Sequence, residues 1–366
     1  MSDFDRWPSG GMLSYIKNIL PDLRERLLER GFELELYGCD PVGHSKESAD
    51  YISFMKVKTS RKIIPNSTRC FCSIIKKARK LKRFDVAYSH TETATIALRL
   101  IRPKSYIVHH QHGLSYKGAK GFERFHNAER WLAQKVASRV LVVASEKDVS
   151  EHARCMNEQD KYYSIGSPIP YNDIVHCDDG KQERSKTVRF IYTGRLAPQK
   201  NVQHAIMAFN KFRIDVNPDS EFIILGDGPE KSDLERIAFG LECSSAISFL
   251  GNLDSIRVYK ELSKADIMLF PSRGEGMSLS VLEALASGLP IVCLDVVGMN
   301  SLIVDNQTGF IASDDSLCAF VAAMKKAVEA QNDMKKTCQE FASRYSSEVV
   351  AEQIALHLIS GEEMGE

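Results

Sequence analysis

Short apolar runs alternate with helical patterns along almost the whole chain, and this constrains the fold more than any other feature. Runs rich in Val, Ile, Leu and Phe predict strands at Phe32–Tyr37, Phe84–Tyr88, Tyr106–His109, Val140–Ala144, Val188–Thr193, Phe222–Leu225, Ile247–Leu250, Ile267–Phe270 and Ile291–Leu294. Several are apolar at nearly every position, as strands covered on both faces are. Helical segments separate them, which is the texture of parallel sheets with crossover helices. The expected class is therefore α/β. A chain of 366 residues is too long for one ordinary core and suits two domains.

The segment 166–186, GSPIPYNDIVHCDDGKQERSK, holds two prolines, turn residues and a charged stretch. It reads as a linker. Residues 1–166 would form a first domain, 167–186 the linker, 187–345 a second domain, and 346–366 a closing helix that packs back towards the first. Val350, Ile354 and Leu358 recur at helical spacing in that last stretch. The opening MSDFDRWPSGG supplies a glycine turn, and Met12–Arg30, closed by Gly31, supplies a helix. The buried strand that normally precedes such a turn is absent. The expectation is that the reading frame starts upstream, or that the first sheet lacks its first strand.

Candidate chemistry lies in the second half. In YTGRLAPQKN, residues 192–201, a strand ends at Thr193, Gly194 permits a tight turn, and Arg195 and Lys200 follow. Two cations at the carboxyl end of a parallel strand stand where such folds bind ligands. Arginine grips phosphate oxygens with a planar fork, and lysine adds a mobile point charge. Alone, the pair would equally suit a solvated surface turn. Further on, FPSRGEGMSLSVLEALASGLPIVCLDVV, residues 270–297, reads as a strand end, a glycine loop and a helix over Leu279–Ser287. Ser278 is placed to cap the helix start and Gly288 its end. A helix start of this kind is an anion site. Glu275 stands in the loop and Glu283 on the second helical turn, so the two carboxylates are not a side-by-side pair. A carboxylate near such a helix can accept hydrogen bonds from the vicinal hydroxyls of a ribose.

These segments resemble the retaining GT-B glycosyltransferases of family 4, also called glycosyl transferases group 1. The likeness runs from Val188 to Phe310 through GRLAPQKN, LGDGPEKSDLE, FLGNLDSIRVYKELSKADIMLFPS, EGMSLSVLEALASGLPIV and NQTGFI. It implies two Rossmann-like domains whose parallel sheets face a central cleft, and a nucleotide-diphosphate sugar as donor. It implies sugar transfer with retention and no need for a divalent metal or other cofactor. Arg195 and Lys200 match the basic pair on the donor diphosphate. Glu283 matches the ribose glutamate, and Glu275 the glutamate facing the donor sugar. Gly194 belongs to the donor turn, and the backbone of Gly276, Met277, Ser278 and Leu279 lines the phosphates. Gly10 and Gly11 match the glycine turn that faces the donor from the first domain. Ser301 stands where the family often has a glutamate.

The first half matches less closely. His112, in VHHQHG, fits the strand-end histidine near the donor sugar and acceptor, with His109 and His110 close enough to compete for the part. Three histidines within four residues also raise a metal site. Against that, neighbours on a strand point to opposite faces, and no carboxylate follows until Glu123. The expectation is a site without metal.

Partners follow from charge. The formal net charge is zero, so no global field favours nucleic acid. Residues 56–83, however, contain eleven Lys and Arg and no Asp or Glu, with Phe71, Ile74, Ile75, Ala78 and Leu81 at helical spacing. A basic amphipathic helix of this kind suits an anionic membrane surface, and hence a lipid-linked glycan acceptor in cell-envelope polysaccharide or glycolipid synthesis. A solvated basic face is the plainer explanation. No apolar run reaches the roughly 20 residues that cross a bilayer. Nine scattered cysteines without a Cys-x-x-Cys spacing suit a reducing compartment. The expected location is the cytoplasm, at the inner face of the membrane if the basic helix binds there. Two alternatives remain open. One is a sugar-nucleotide-binding remnant without catalysis. The other is a nucleotide-dependent oxidoreductase, whose G-x-G-x-x-G turn is incomplete here because Lys231 ends the run begun by Gly226.

Overall fold

The computed structural model describes residues 11–32, 36–40, 52–56, 86–90, 92–101, 104–112, 131–132, 135–177, 187–296 and 298–360. The chain divides into two compact units, Met1–Gly166 with Glu348–Glu366, and Ser167–Ser347.

The first unit opens with the helix Gly11–Leu28. Tyr15, Ile19, Leu23 and Leu27 recur every four residues and are all buried, forming one apolar stripe. Gly31, with φ of 82°, terminates it, and the Phe32 amide donates back to Leu27 O at 2.9 Å. Phe32 is thus spent on the helix cap. The strand predicted from Phe32 is instead β1, Leu36–Asp40, which pairs in parallel with β2, Ile52–Lys56. A second sheet holds β3 (Val86–Ser89), β4 (Tyr106–Gln111), β5 (Arg139–Val143) and β6 (Tyr162–Ile165), parallel and in that order.

The helix Ser347–Ile359 joins this unit through ionic contacts as well as apolar ones. Arg30 Nη2 meets Glu352 Oε1 at 2.5 Å. The buried Arg139 donates to His357 O at 3.0 Å and to Ser360 Oγ at 2.7 Å, and stacks over the Tyr163 ring. Residues 1–10, where Gly10 and the question of a first strand fall, lie outside the described residues. So does the basic segment beyond Lys56, up to residue 83.

The second unit begins earlier than the predicted linker allows. The Ile169 amide donates to Tyr345 O, Ser347 N donates to Ile169 O, and the helix Tyr171–His176 buries Ile174. Residues 167–177 are therefore part of this folded unit, because Ile169 and Ile174 are apolar enough to join its core. Residues 178–186 lie outside the described residues. The sheet holds β7 (Arg189–Thr193), β8 (Glu221–Leu225), β9 (Ile247–Gly251), β10 (Ile267–Phe270), β11 (Ile291–Leu294) and β12 (Gly309–Ala312), in the order β12-β11-β10-β7-β8-β9. All its pairs are parallel. The central strands are buried at nearly every position. Phe190, Phe209 and Phe212 pack edge to face beneath them. Truncating one such ring to alanine costs about 3–5 kcal/mol.

This strand order has one functional consequence. From β7 the chain builds outwards through β8 and β9, then returns to β7's other side for β10, β11 and β12. The reversal falls between β7 and β10, and ligands of open α/β sheets bind beyond the carboxyl ends of the strands at such a point.

Candidate functional site

The two loops at the reversal carry the predicted residues. After β7 come Gly194, Arg195, a short 3-10 turn over Pro198–Lys200, and the helix Val202–Asp215. After β10 come Ser272, Glu275 and the helix Leu279–Ala286. The loops are joined: Arg273 N donates to Gln199 O at 2.9 Å, and Ser272 Oγ lies 3.2 Å from the same oxygen. Across the join, Lys200 Nζ lies 2.5 Å from Glu275 Oε1, with the two side chains only 17 % and 11 % exposed. Ser272 Oγ donates to the same carboxylate oxygen at 2.5 Å. The ammonium also stands 5.5 Å from the Phe270 ring centroid, a cation–π distance. Arg195, by contrast, is exposed, and its guanidinium makes no hydrogen bond or ion pair among the described residues. One cation is held and the other projects into solvent.

Close backbone packing sets this geometry. Gly226 has φ of 126°, and a Cβ there would stand 1.9 Å from Gly194 O. Gly298 has φ of 89°, and its Cβ would stand 2.0 Å from Glu275 O. Any larger residue at Gly298 pushes on the loop that presents Glu275. From a third side Ser167 donates its amide to Met277 Sδ at 3.1 Å and its hydroxyl to Met277 O at 3.0 Å.

The helix Leu279–Ala286 begins without a side-chain cap. Ser278 occupies the capping position, but its hydroxyl meets Ser280 Oγ at 3.1 Å instead of an amide, and the first turn carries no acid. Its leading amides and positive dipole end are thus left for an anion. Gly288 closes the helix with φ of 81°.

Glu283 is placed differently from Glu275. It keeps a partly exposed edge while protein surrounds most of it, and burial raises its carboxyl to about 7, moderated by a hydrogen bond from Tyr259. Tyr259 is itself held above its usual range, first by burial and then by the Glu283 charge. Glu283 thus bonds to the helix Ser255–Lys264, whereas Glu275 bonds to Lys200. Ser301 Oγ donates to Gly298 O at 2.9 Å, which spends the hydroxyl on the turn behind Glu275.

In the first unit Gly11 opens the first helix, and the histidines sort by strand alternation. His109 faces one way, where its Nδ1 meets Thr95 Oγ1 at 2.8 Å. His110 and His112 face the other, joined there by His90 from the end of β3: His90 Nδ1 lies 3.1 Å from His112 Nε2. The metal-capable groups of His90, His110 and His112 lie within 4.8 Å of one another. The alternation argument therefore removes His109 alone from a metal set, because His90 comes from the neighbouring strand. Burial lowers His90 to about 3 and His112 to about 4, and neighbouring imidazoles add to both shifts. His110 is pushed well below its ordinary value by the same causes. Two polar atoms nearby, His110 Nε2 and the Tyr15 hydroxyl, are buried without a partner among the described residues. Each such orphan costs about 1–3 kcal/mol unless something satisfies it.

Sequence reasoning missed Ser272, Tyr259, Gly298 and His90. His90 had a signal, since it ends a strand just as His112 does. Ser272 and Tyr259 had none, because their parts depend on the folded neighbours alone.

Comparison with known proteins adds to this geometry. Residues 178–344 match the family model for Glycosyl transferases group 1. The chain is 27 % identical over 294 residues to UDP-Gal:alpha-D-GlcNAc-diphosphoundecaprenol alpha-1,3-galactosyltransferase of Escherichia coli, an alignment covering 72 % of each protein. It is 25 % identical over 301 residues to the alpha-monoglucosyldiacylglycerol synthase of Acholeplasma laidlawii, covering 76 % of this chain and 75 % of that one. Among solved structures, the sucrose-phosphate synthase of Thermosynechococcus elongatus superposes with a TM-score of 0.78 at 16 % identity, over 96 % of this chain and 94 % of the other. With the fold so matched and the group 1 domain filling most of the second unit, the chain is a glycosyltransferase of the GT-B fold.

Proposed function

We propose that this glycosyltransferase belongs to family 4 and moves a hexose or related sugar, with retention, from a nucleotide-diphosphate sugar to an acceptor hydroxyl. The observation that carries the reading is the meeting of the β7 and β10 loops, with Arg195 projecting, Lys200 held against Glu275, and an uncapped helix start beside them. A nucleoside diphosphate leaves readily only if its growing charge is neutralised. Arg195, Lys200 and the amides of Ser278 and Leu279 supply that charge stabilisation from fixed positions, most strongly as the bond breaks. No divalent metal is needed for this step. Glu283 accepts the ribose hydroxyls, and Glu275 orients the sugar hydroxyls. His112 serves the sugar and acceptor side.

The reaction runs at one face of the sugar. The bond from the anomeric carbon to the diphosphate oxygen breaks, the acceptor oxygen forms its bond on the same side, and its proton passes to the departing phosphate. This leaves no part for a covalent carboxylate nucleophile.

The acceptor is proposed to be lipid-linked, in cell-envelope polysaccharide or glycolipid synthesis at the cytoplasmic membrane face. The two named relatives support this, since one carries an undecaprenyl diphosphate and the other a diacylglycerol in its name. The basic segment 56–83 would make the membrane contact; none of the described helices is long and apolar enough to cross a membrane. Flotation with anionic vesicles tests that contact, and binding unaffected by salt or lipid charge would refute it. A thermal-shift screen against UDP, GDP and ADP sugars tests the donor reading. A donor that binds only the folded state raises the melting temperature by mass action; no shift with any of them would overturn it.

A further inference from the structure

We propose that His90, His110 and His112 form a binding site for one divalent transition-metal ion, of the zinc or cobalt class. The cluster uses none of the residues proposed to hold the donor nucleotide and diphosphate, and it shares His112 alone with the proposed reaction.

The backbone builds the site. In the parallel register of β3 and β4, Tyr88 lies opposite Val108 and Ser89 opposite His109, so His90 falls beside His110. His110 and His112, two apart on β4, share a face. The three ring centroids stand 4.6 to 5.2 Å apart, and one ring nitrogen from each lies within 4.8 Å of the other two. Zinc–imidazole bonds of about 2.0–2.1 Å require nitrogens roughly 3.3 Å apart around a tetrahedral ion. The His90–His112 pair already stands at 3.1 Å. The widest separation closes by about 1.5 Å, through ring rotation at the strand ends.

Two further observations point to an occupant. His110 is 1 % exposed, yet its Nε2 has no hydrogen-bond partner among the described residues. Its other nitrogen, Nδ1, meets the Tyr88 hydroxyl at 2.5 Å, the outer contact that fixes a ligating imidazole and turns the second nitrogen towards a metal. Tyr15, 2 % exposed, covers the cluster from the first helix with its ring 4.7 Å from His110 and 5.2 Å from His112, and its hydroxyl also lacks a partner among the described residues. Three neutral imidazoles with one position left for water or a phenol oxygen match the ligand chemistry of zinc. Carboxylate-seeking magnesium and calcium do not fit this set.

The test is titration of the untagged full chain with cobalt(II) alone, followed by visible absorption and by proton NMR. The expected result is one equivalent bound, with intense bands of a four-coordinate nitrogen site, displaced by zinc. Three imidazole N–H resonances should show paramagnetic shifts. His90→Asn and His112→Asn should each weaken cobalt binding at least tenfold, whereas His109→Gln, on the opposite face, should not. Absence of the bands, fewer than three shifted histidines, or unchanged affinity in folded His90→Asn and His112→Asn would overturn the proposal. In the unaltered protein the absorption and NMR readouts decide without any variant.

Discussion

Lys200 Nζ and Glu275 Oε1 lie 2.5 Å apart, although 75 residues separate them in the chain. The cation of one loop is thus neutralised by the carboxylate of the other before any donor arrives. A charged hydrogen bond this sheltered is worth about 1.5–3 kcal/mol. A double-mutant cycle of Lys200→Ala and Glu275→Gln, read by chemical denaturation, should return a coupling energy in that range. A coupling under about 0.5 kcal/mol would mean that the pair contributes nothing to holding the loops together.

Arg195 should behave in the opposite way. It is exposed and has no side-chain partner among the described residues, so Arg195→Ala should leave the melting temperature unchanged. Turnover should fall by roughly two powers of ten, the loss typical of removing one donor from developing negative charge. Steady-state kinetics beside a melting curve separates the two effects.

How much of this was legible in the sequence depended on how each element is buried. Ile267–Phe270 and Ile291–Leu294 were read to the residue, because central parallel strands must be apolar on both faces. Strands β2, β6 and β12 escaped notice. Each stands at the edge of its sheet, where one side need not be covered and Ser, Tyr or Gly is tolerated. Phe32 looked like a strand residue but serves a helix cap. In the site, local motifs placed Arg195, Lys200, Glu275 and the Ser278 helix start near strand ends. They could not disclose that Lys200 bonds Glu275 while Tyr259 bonds Glu283. Those pairings come from the strand order, which no local pattern encodes.

Glu283 gives a pH signature. Its carboxyl titrates near 7 in the folded protein against 4.5 for an ordinary glutamate. The folded state therefore holds a proton that the unfolded state has released, and stability falls as pH rises from about 4.5 to about 7. Glu283→Gln should lose less stability over that window than the unaltered protein. Donor affinity should move the other way, strengthening as pH passes about 7, because the ionised carboxylate is the better acceptor for ribose hydroxyls. Calorimetric binding across this range should show the rise, and Glu283→Gln should flatten it.

Gly298 should tolerate no side chain. Its φ of 89° and a Cβ only 2.0 Å from Glu275 O leave Gly298→Ala both strained and clashing. The left-handed conformation alone costs about 1–2 kcal/mol. Lower stability and weaker turnover should appear together, since the displaced backbone carries Glu275. Normal turnover in this variant would show that the position of Glu275 does not matter to transfer.

The most direct measurement is isothermal titration of a nucleoside diphosphate and of the matching nucleoside into the unaltered protein and into Arg195→Ala/Lys200→Ala. The expected result is that the diphosphate binds far more tightly than the nucleoside, and that the double variant loses most of this difference while still folding. Equal diphosphate affinity in the folded double variant would contradict the assignment of the two cations to the diphosphate.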